Sequence, residues 1–557
     1  MHKSLSVFFW VYFLTTLLTG SLALTGTADL NQKLLLALPL LLALITFNSI
    51  AKPQLNKTLF WLLSIFALTM LTAFLFSQHY GNSATHLVRW LSGLSVFVFA
   101  IWFGPEIRPK LAKILMFLGI FFSLFFLALN YLPQYFGFLM QQNGYNLVFP
   151  TYRLHNHLGD FLVLPVIVLI YNLRQGKKPL FTLAWIIVFG LLIFYSYSRS
   201  SYTALGAGLV TLFFTQLKQK SKFSQLVSLT LLLIGAILFL LLTTQESNLK
   251  LSFFSAIENK LLLNGRDQYW GASIKAIQDY FWFGIGEGNF VYAMGRYSSI
   301  PFNWTESSLN LFLSVFSENG VFAFVVFMAL VIWVIKNNRF DLNFVLLTAL
   351  LINFQTDYTY EIVGMWLLFW LIMGLSVRHN PAYQPIRQNW LILPGLIGIL
   401  LLLQLVITPV LGLFRLHSLA FIANPLDSNN QEKLIINQLF TQKYSQAELQ
   451  LCLYQRFYRA DFSRQYATAN YYLALNQPQK ALASYYQAYL WNPYANLDVY
   501  RQIYELETKL NGKEKANLFL QNYQKQIDKI TGKSYFAQKL KKDWQEFNKK
   551  LDKKPQL

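Results

Sequence analysis

Apolar runs recur through the first three quarters of the chain, and they limit what it can fold into. They lie near residues 5–24, 34–48, 59–77, 87–104, 111–132, 157–172, 180–197, 200–217, 224–243, 320–335, 342–356, 362–377 and 390–413. Each approaches the ~20 residues that cross a bilayer as a helix. The pattern predicts a polytopic membrane helix bundle of about thirteen spans, all-α in class, with 180–217 open to a different division. The run at 5–24 follows only His2 and Lys3 and lacks a small-residue cleavage site, so it reads as an uncleaved first helix. Of the 557 residues, 13% are charged and 55% hydrophobic, against ~25% charged in an average globular chain. That balance excludes a soluble multidomain enzyme and a disordered scaffold. The single cysteine, Cys452, excludes an intrachain disulfide framework.

The net charge of +21 raises a nucleic-acid reading, which its location removes. Residues 1–414 carry +12 and residues 415–557 carry +9. With a cytoplasmic N-terminus, Lys52, Lys57, Arg108, Lys110, Lys177 and Lys178 fall in inner loops, as do Lys218 to Lys222. The short outer loops and span ends receive only Lys33, Arg89, Arg153 and Arg199. A basic excess on one side is a topology signal. An odd number of spans puts the long 244–306 loop and the polar C-terminal part outside. The expected domains are therefore a membrane domain, 1–414, and a soluble helical domain, 415–557. No nucleic-acid partner is implied.

In the second domain, Ala481, Tyr485, Ala488 and Pro493 have the spacing of the second helix of a tetratricopeptide repeat. Asn511-Gly512, Ala516 and Tyr523 suggest another copy about 35 residues on, and 425–451 a degenerate earlier one. The alternative is an ordinary helical hairpin domain. Such repeats bind peptides or protein partners. The Lys539 to Lys554 stretch reads as a solvated helix face or tail, or as a contact with anionic headgroups or glycan.

Polar residues at the outer ends of spans are the candidates for chemistry. Arg199 lies in Tyr195-Ser-Tyr-Ser-Arg199-Ser-Ser-Tyr202, a polar turn between two apolar runs; a snorkelling interfacial anchor is the plainer reading. Arg266 precedes an amphipathic helical segment at 272–277. Gly284, Gly286 and Gly288 lack the strand and Gly-Lys-Ser/Thr ending of a phosphate loop, and fit a turn packed on the membrane surface. Glu306 is either a base or a helix N-terminal acid favoured by the macrodipole, and Glu318 caps or orients within the bundle. His155, His157 and Asp160 allow metal ligation by spacing, but no second ligand cluster accompanies them. Helix capping or acceptor binding suits them better. Asp357 and Glu361, with Tyr358 and Tyr360, form an outer hairpin that either binds sugar hydroxyls or is simply exposed.

Taken in order, these pieces resemble the O-antigen ligase/polymerase superfamily over roughly 85–375. They are Asn156-His157, Ser198-Arg199-Ser200, Gly265-Arg266 with Trp270, Gly284-Ile-Gly286-Glu-Gly288-Asn-Phe290 and Glu318-Asn-Gly320. The superfamily includes lipopolysaccharide O-antigen ligases, O-antigen polymerases and protein O-oligosaccharyltransferases. The resemblance implies a metal-independent glycosyltransferase of the plasma membrane, working without cofactor at the outer face. It would move a glycan from a polyprenyl diphosphate to a hydroxyl on a lipid, protein or growing glycan. Arg199 and Arg266 match the family's two diphosphate-binding arginines. Its proposed base is the histidine of a His-Asn pair, and that pair falls here at Leu309-Asn310. Leucine takes no proton, which leaves Glu306 as the candidate base, with His155, His157 and Asp357 as candidate acceptor-binding groups. The competing reading is a non-enzymatic polysaccharide or lipid transporter with a partner-binding tail. Transporters place polar groups mid-span and show inverted repeats, and neither is evident.

Overall fold

A computed structural model describes residues 54–131, 155–196, 198–217, 266–298, 307–378, 384–385, 416–528 and 535–553, with isolated positions between 396 and 414. The expected spans at 5–24, 34–48 and 224–243 lie outside these residues, and 390–413 lies almost wholly outside them. Among the described residues the regular elements are helices, apart from a two-residue antiparallel pairing of Gln54–Leu55 with Gln384–Pro385 and an isolated bridge between Asn338 and Val377. Among the described residues, four helices are long and apolar enough to cross a membrane, at Lys57–Leu75, Tyr80–Ala128, His157–Arg174 and Leu311–Lys336.

The membrane-side elements are α1 (Lys57–Leu75), α2 (Tyr80–Tyr131), α3 (His155–Arg174), α4 (Pro179–Tyr195) and α5 (Arg199–Leu217). They continue with α6 (Arg266–Asp279), α7 (Phe290–Tyr297), α8 (Leu311–Lys336), α9 (Leu342–Asn353) and α10 (Val363–Ser376). The runs at 87–104 and 111–132, expected as two spans, belong to the single element α2. At 1.5 Å per residue its 52 residues would measure about 78 Å if straight, more than twice a hydrocarbon core. Pro105 and Pro109 interrupt its amide donors between the two runs. Between the two runs Arg108 donates to Leu375 O at 3.0 and 2.8 Å and so ties this stretch of α2 to the end of α10. The first half of α2 packs on α10 and the second on α3, where Gly119 faces Pro165 and Phe122 meets Phe161 edge-on at 5.2 Å.

Every residue of α10 is buried. At 14 residues it is too short to span the hydrocarbon alone, and it forms the bundle's centre instead. Trp366 and Trp370 pack edge-on against Trp90 there, Trp90 in turn meets Phe66 and Phe327, and Gly93 leaves room for the Trp370 ring. Outward-facing Trp61, Leu68, Phe117, Ile187, Val325 and Ile332 are exposed, as a lipid-facing belt requires.

The glycine turn locks into a break in α8. Gly320 sits at φ 77° and ψ 179° inside that helix, a conformation that essentially only glycine adopts. The break frees carbonyls that the turn takes up: Ile285 N donates to Ser317 O at 3.0 Å and Gly286 N to Glu318 O at 2.9 Å. In return Val321 N donates to Phe281 O at 2.9 Å. A Cβ on Gly284 would strike the Glu318 carbonyl, and one on Gly320 the Trp282 carbonyl. The turn therefore packs on a helix kink of the bundle.

The C-terminal elements are α11 (His417–Ala423), α12 (Ser428–Phe440), α13 (Tyr444–Phe457), α14 (Phe462–Ala474), α15 (Pro478–Trp491), α16 (Asp498–Asn511), α17 (Lys513–Asp528) and α18 (Tyr535–Lys553). From α12 on they pair as successive helical hairpins, with α18 closing the end through Trp544 against Tyr523. Asp427 and Asp461 cap α12 and α14, and Asn496 receives the Asp498 amide, at intervals of 34 and 35 residues. Ala447, Ala481 and Ala516, at the same intervals, are all fully buried in the second helix of each pair. Small residues there let paired helices approach closely.

Replacing Gly320 with Ala forces an L-residue into a glycine-only conformation and costs about 1–3 kcal/mol from the backbone alone. Thermal unfolding in detergent should show a lowered midpoint. Gly190→Ala, in the interior of α4 where nothing lies within 4 Å of an added Cβ, should not lower it, since alanine is the better helix former.

Candidate functional site

Three consecutive residues, Gln355-Thr356-Asp357, receive the starts of three helices at one end of the bundle. Asn310 caps α8 by accepting from Leu313 N at 3.0 Å, and its Nδ2 donates to Gln355 O at 3.1 Å. Arg266, the first residue of α6, donates from Nε to Thr356 O at 2.8 Å. Its Nη2 lies 3.8 Å from Asp357 Oδ2. Ser200, in the first turn of α5, donates to the same Asp357 Oδ2 at 3.3 Å. The starts of α5, α6 and α8 therefore converge, and each carries the positive end of a helix dipole.

The start of α3 joins them. Asp160 Oδ1 accepts from Ser198, Ser200 and Ser201 hydroxyls at 3.0, 2.8 and 2.6 Å. Gly159 is required beside them, because a Cβ there would strike Ser196 and Ser201. Arg199, between these serines, is exposed. The two arginines singled out by sequence thus lie at the same end, one beside Ser200 and the other on its partner Asp357.

A second polar group lies behind this one. Arg89 pairs with Glu361, donates to Tyr360 O, and stands 4.6 Å over the Trp366 ring. Tyr360 Oη and Ser314 Oγ share a hydrogen bond of 2.7 Å, and Ser314 and Ser308 another of 2.9 Å. This chain of hydroxyls reaches the residue preceding Leu309. Glu287, in the glycine turn, accepts from Asn319, and burial raises its carboxyl above the usual carboxylate range despite nearby Arg89.

These positions correct part of the expected site. Asp357 is 4% exposed and Tyr360 1%, so the hairpin is an internal support and not an exposed surface. His157 is buried, with its ring edge-on to Tyr358 at 4.8 Å. The His155 side chain and all of Glu306 lie outside the described residues. Glu318 does cap, accepting from Phe290 N at the start of α7 at 3.0 Å. Leu309 adopts φ 56°, a left-handed conformation unusual for leucine, immediately before the α8 cap. Among the described residues no three His, Cys, Asp or Glu side chains group as metal ligands. Sequence reasoning missed the serine triplet on Asp160 and the Arg89–Glu361 pair as partners. An Arg and a Glu at span ends, 272 residues apart, gave no signal that they meet.

Residues 183–328 match the family model described as O-Antigen ligase. No curated protein and no solved structure matches the chain. The matched segment holds Arg199, Arg266, the glycine turn, Leu309-Asn310 and Gly320. The resemblance to the O-antigen ligase/polymerase superfamily is therefore shown over that segment. With the apolar helices, it supports a multi-pass membrane protein of glycosyltransferase type.

Removing one partner of a buried ion pair typically costs about 3–5 kcal/mol. Arg89→Met should lower the unfolding midpoint strongly by removing the guanidinium that pairs with Glu361. The double variant Arg89→Met/Glu361→Leu should recover part of the loss, read by the same thermal unfolding.

Proposed function

We propose that the chain transfers a glycan from a polyprenyl-diphosphate donor to an acceptor hydroxyl at the outer face of the plasma membrane, as O-antigen ligases and polymerases do. The observation that carries this reading is the convergence of the α5, α6 and α8 starts on residues 355–357. Arg199 and Arg266 stand at two of those starts. Helix N-termini and guanidiniums both favour an anion. A diphosphate is the anion that the family resemblance supplies.

In this reading the acceptor oxygen bonds to the anomeric carbon as that carbon's bond to the diphosphate breaks. The electron pair leaves with the polyprenyl diphosphate, and the acceptor proton passes to a base. Arg199 and Arg266 bind phosphate oxygens and stabilise the charge that grows on the leaving group. Asp357 holds Arg266 from behind and, with Thr356 O, fixes its direction. Glu306 is the proposed base, since Leu309 occupies the position of the family's histidine. In the sequence it precedes Ser307 and Ser308. His155 and His157 are proposed to shape the acceptor side. The cytoplasmic N-terminus, the outward helical domain and its tetratricopeptide-like binding of a protein partner complete the proposal.

The test is reconstitution in liposomes with a polyprenyl-diphosphate glycan and a panel of lipid, peptide and glycan acceptors. Arg199→Ala and Arg266→Ala should each reduce transfer by about 10²–10³-fold, the usual effect of removing one charge-stabilising donor. Glu306→Gln should abolish most of the remainder. Transfer that survives both arginine substitutions would contradict the assignment, and full activity in Glu306→Gln would remove it as base.

A further inference from the structure

The helical C-terminal domain is built into the platform on which Arg266 stands. Helix α6 opens with Arg266, and its inward face, Ala272 and Ala276, belongs to a small apolar core. That core also contains Ile285, Phe290, Met294 and, from the C-terminal domain, Ala460 and Trp491. Trp491 closes α15 and is 1% exposed. Its ring stacks on Tyr280, directly after α6, at 6.4 Å, and lies 5.3 Å from the Arg296 guanidinium. Arg296 in turn pairs with Asp279, the last residue of α6, at 2.9 Å. Tyr297 donates to the same carboxylate at 2.7 Å. The end of α6 opposite Arg266 is thus held through Trp491.

The approach is close at the backbone as well. A Cβ on Gly295 would meet Asn492 and the Trp491 carbonyl at 2.7 and 2.8 Å. A second contact fixes the same domain on the α1–α2 turn: Ala460 N donates to Gln78 O, and Gln78 N to Ile285 O, both at 3.0 Å. His79 stacks on Tyr292 of α7 at 4.4 Å and lies 3.6 Å from Asp461. Two separate contacts thus join the domain to one short helical layer.

We propose that Trp491 is a positioning residue for the transfer reaction, fixing the direction of Arg266 through α6. This inference rests on the reading of Arg266 as a donor-binding group. It gives the C-terminal domain a role in the reaction centre in addition to any partner it binds.

The full-length protein in nanodiscs tests it by two readouts. Hydrogen exchange in 266–279 reports the packing of α6 without reference to activity, and steady-state transfer reports the donor KM and kcat separately. Trp491→Ala should accelerate exchange in 266–279 while leaving 311–336 protected. It should raise donor KM about tenfold, with a smaller change in acceptor KM, since small misplacements of binding groups have large effects. Trp491→Phe should restore both. Gly295→Val attacks the same contact from α7 and should reproduce the Trp491→Ala pattern if that variant folds poorly. Unchanged exchange in 266–279 in both variants would overturn the coupling. So would faster exchange with an unchanged donor KM. If the wild type transfers nothing from a polyprenyl diphosphate, the reading of function fails, and exchange alone then decides whether Trp491 holds α6.

Discussion

The segment Gln355-Thr356-Asp357 is the point on which the site depends. Its backbone carbonyls at 355 and 356 and the Asp357 carboxylate are taken by Asn310, Arg266 and Ser200, from three different helices. A buried carboxylate needs such partners, because its desolvation is costly when unpaired. Satisfying Asp357 and the neighbouring Asp160 draws the first turns of α3, α5 and α6 together. The result is an end of the bundle where helix dipoles and two guanidiniums share one sign.

The rest of the architecture keeps that end rigid. The hydrocarbon belt demands that backbone groups be paired internally, and the broken helix α8 meets the demand through the glycine turn 284–288. The turn lies on the same layer as α6 and α7, and the C-terminal hairpins close that layer from the other side. Under the proposed function, a guanidinium that binds the donor diphosphate gains from such support, since preorganised charge needs no rearrangement during reaction.

Much of this was legible in the sequence where the signal is periodic or local. Apolar runs marked α1, α3, α4, α5 and α8, and Ala481, Tyr485 and Ala488 marked the face that α15 buries. Gly284, Gly286 and Gly288 read as a turn, and each adopts the positive φ that glycine permits. Long-range pairing was not legible. Nothing local says that Arg89 meets Glu361, that three serines share Asp160, or that Trp491 reaches Tyr280. Asp357 and Tyr360 looked exposed because polar residues near a hairpin usually are, yet helix convergence buries them. The two apolar runs at 87–104 and 111–132 looked separate because Glu106, Arg108 and Lys110 lie between them, and the helix carries through that stretch.

The central claim is that Arg199 and Arg266 recognise a diphosphate. It is tested most directly by comparing reconstituted transfer from a polyprenyl-diphosphate glycan with transfer from the matching monophosphate. The wild type should strongly prefer the diphosphate in kcat/KM, and Arg199→Ala and Arg266→Ala should each lose most of that preference. A preference that persists undiminished in both variants would contradict the account.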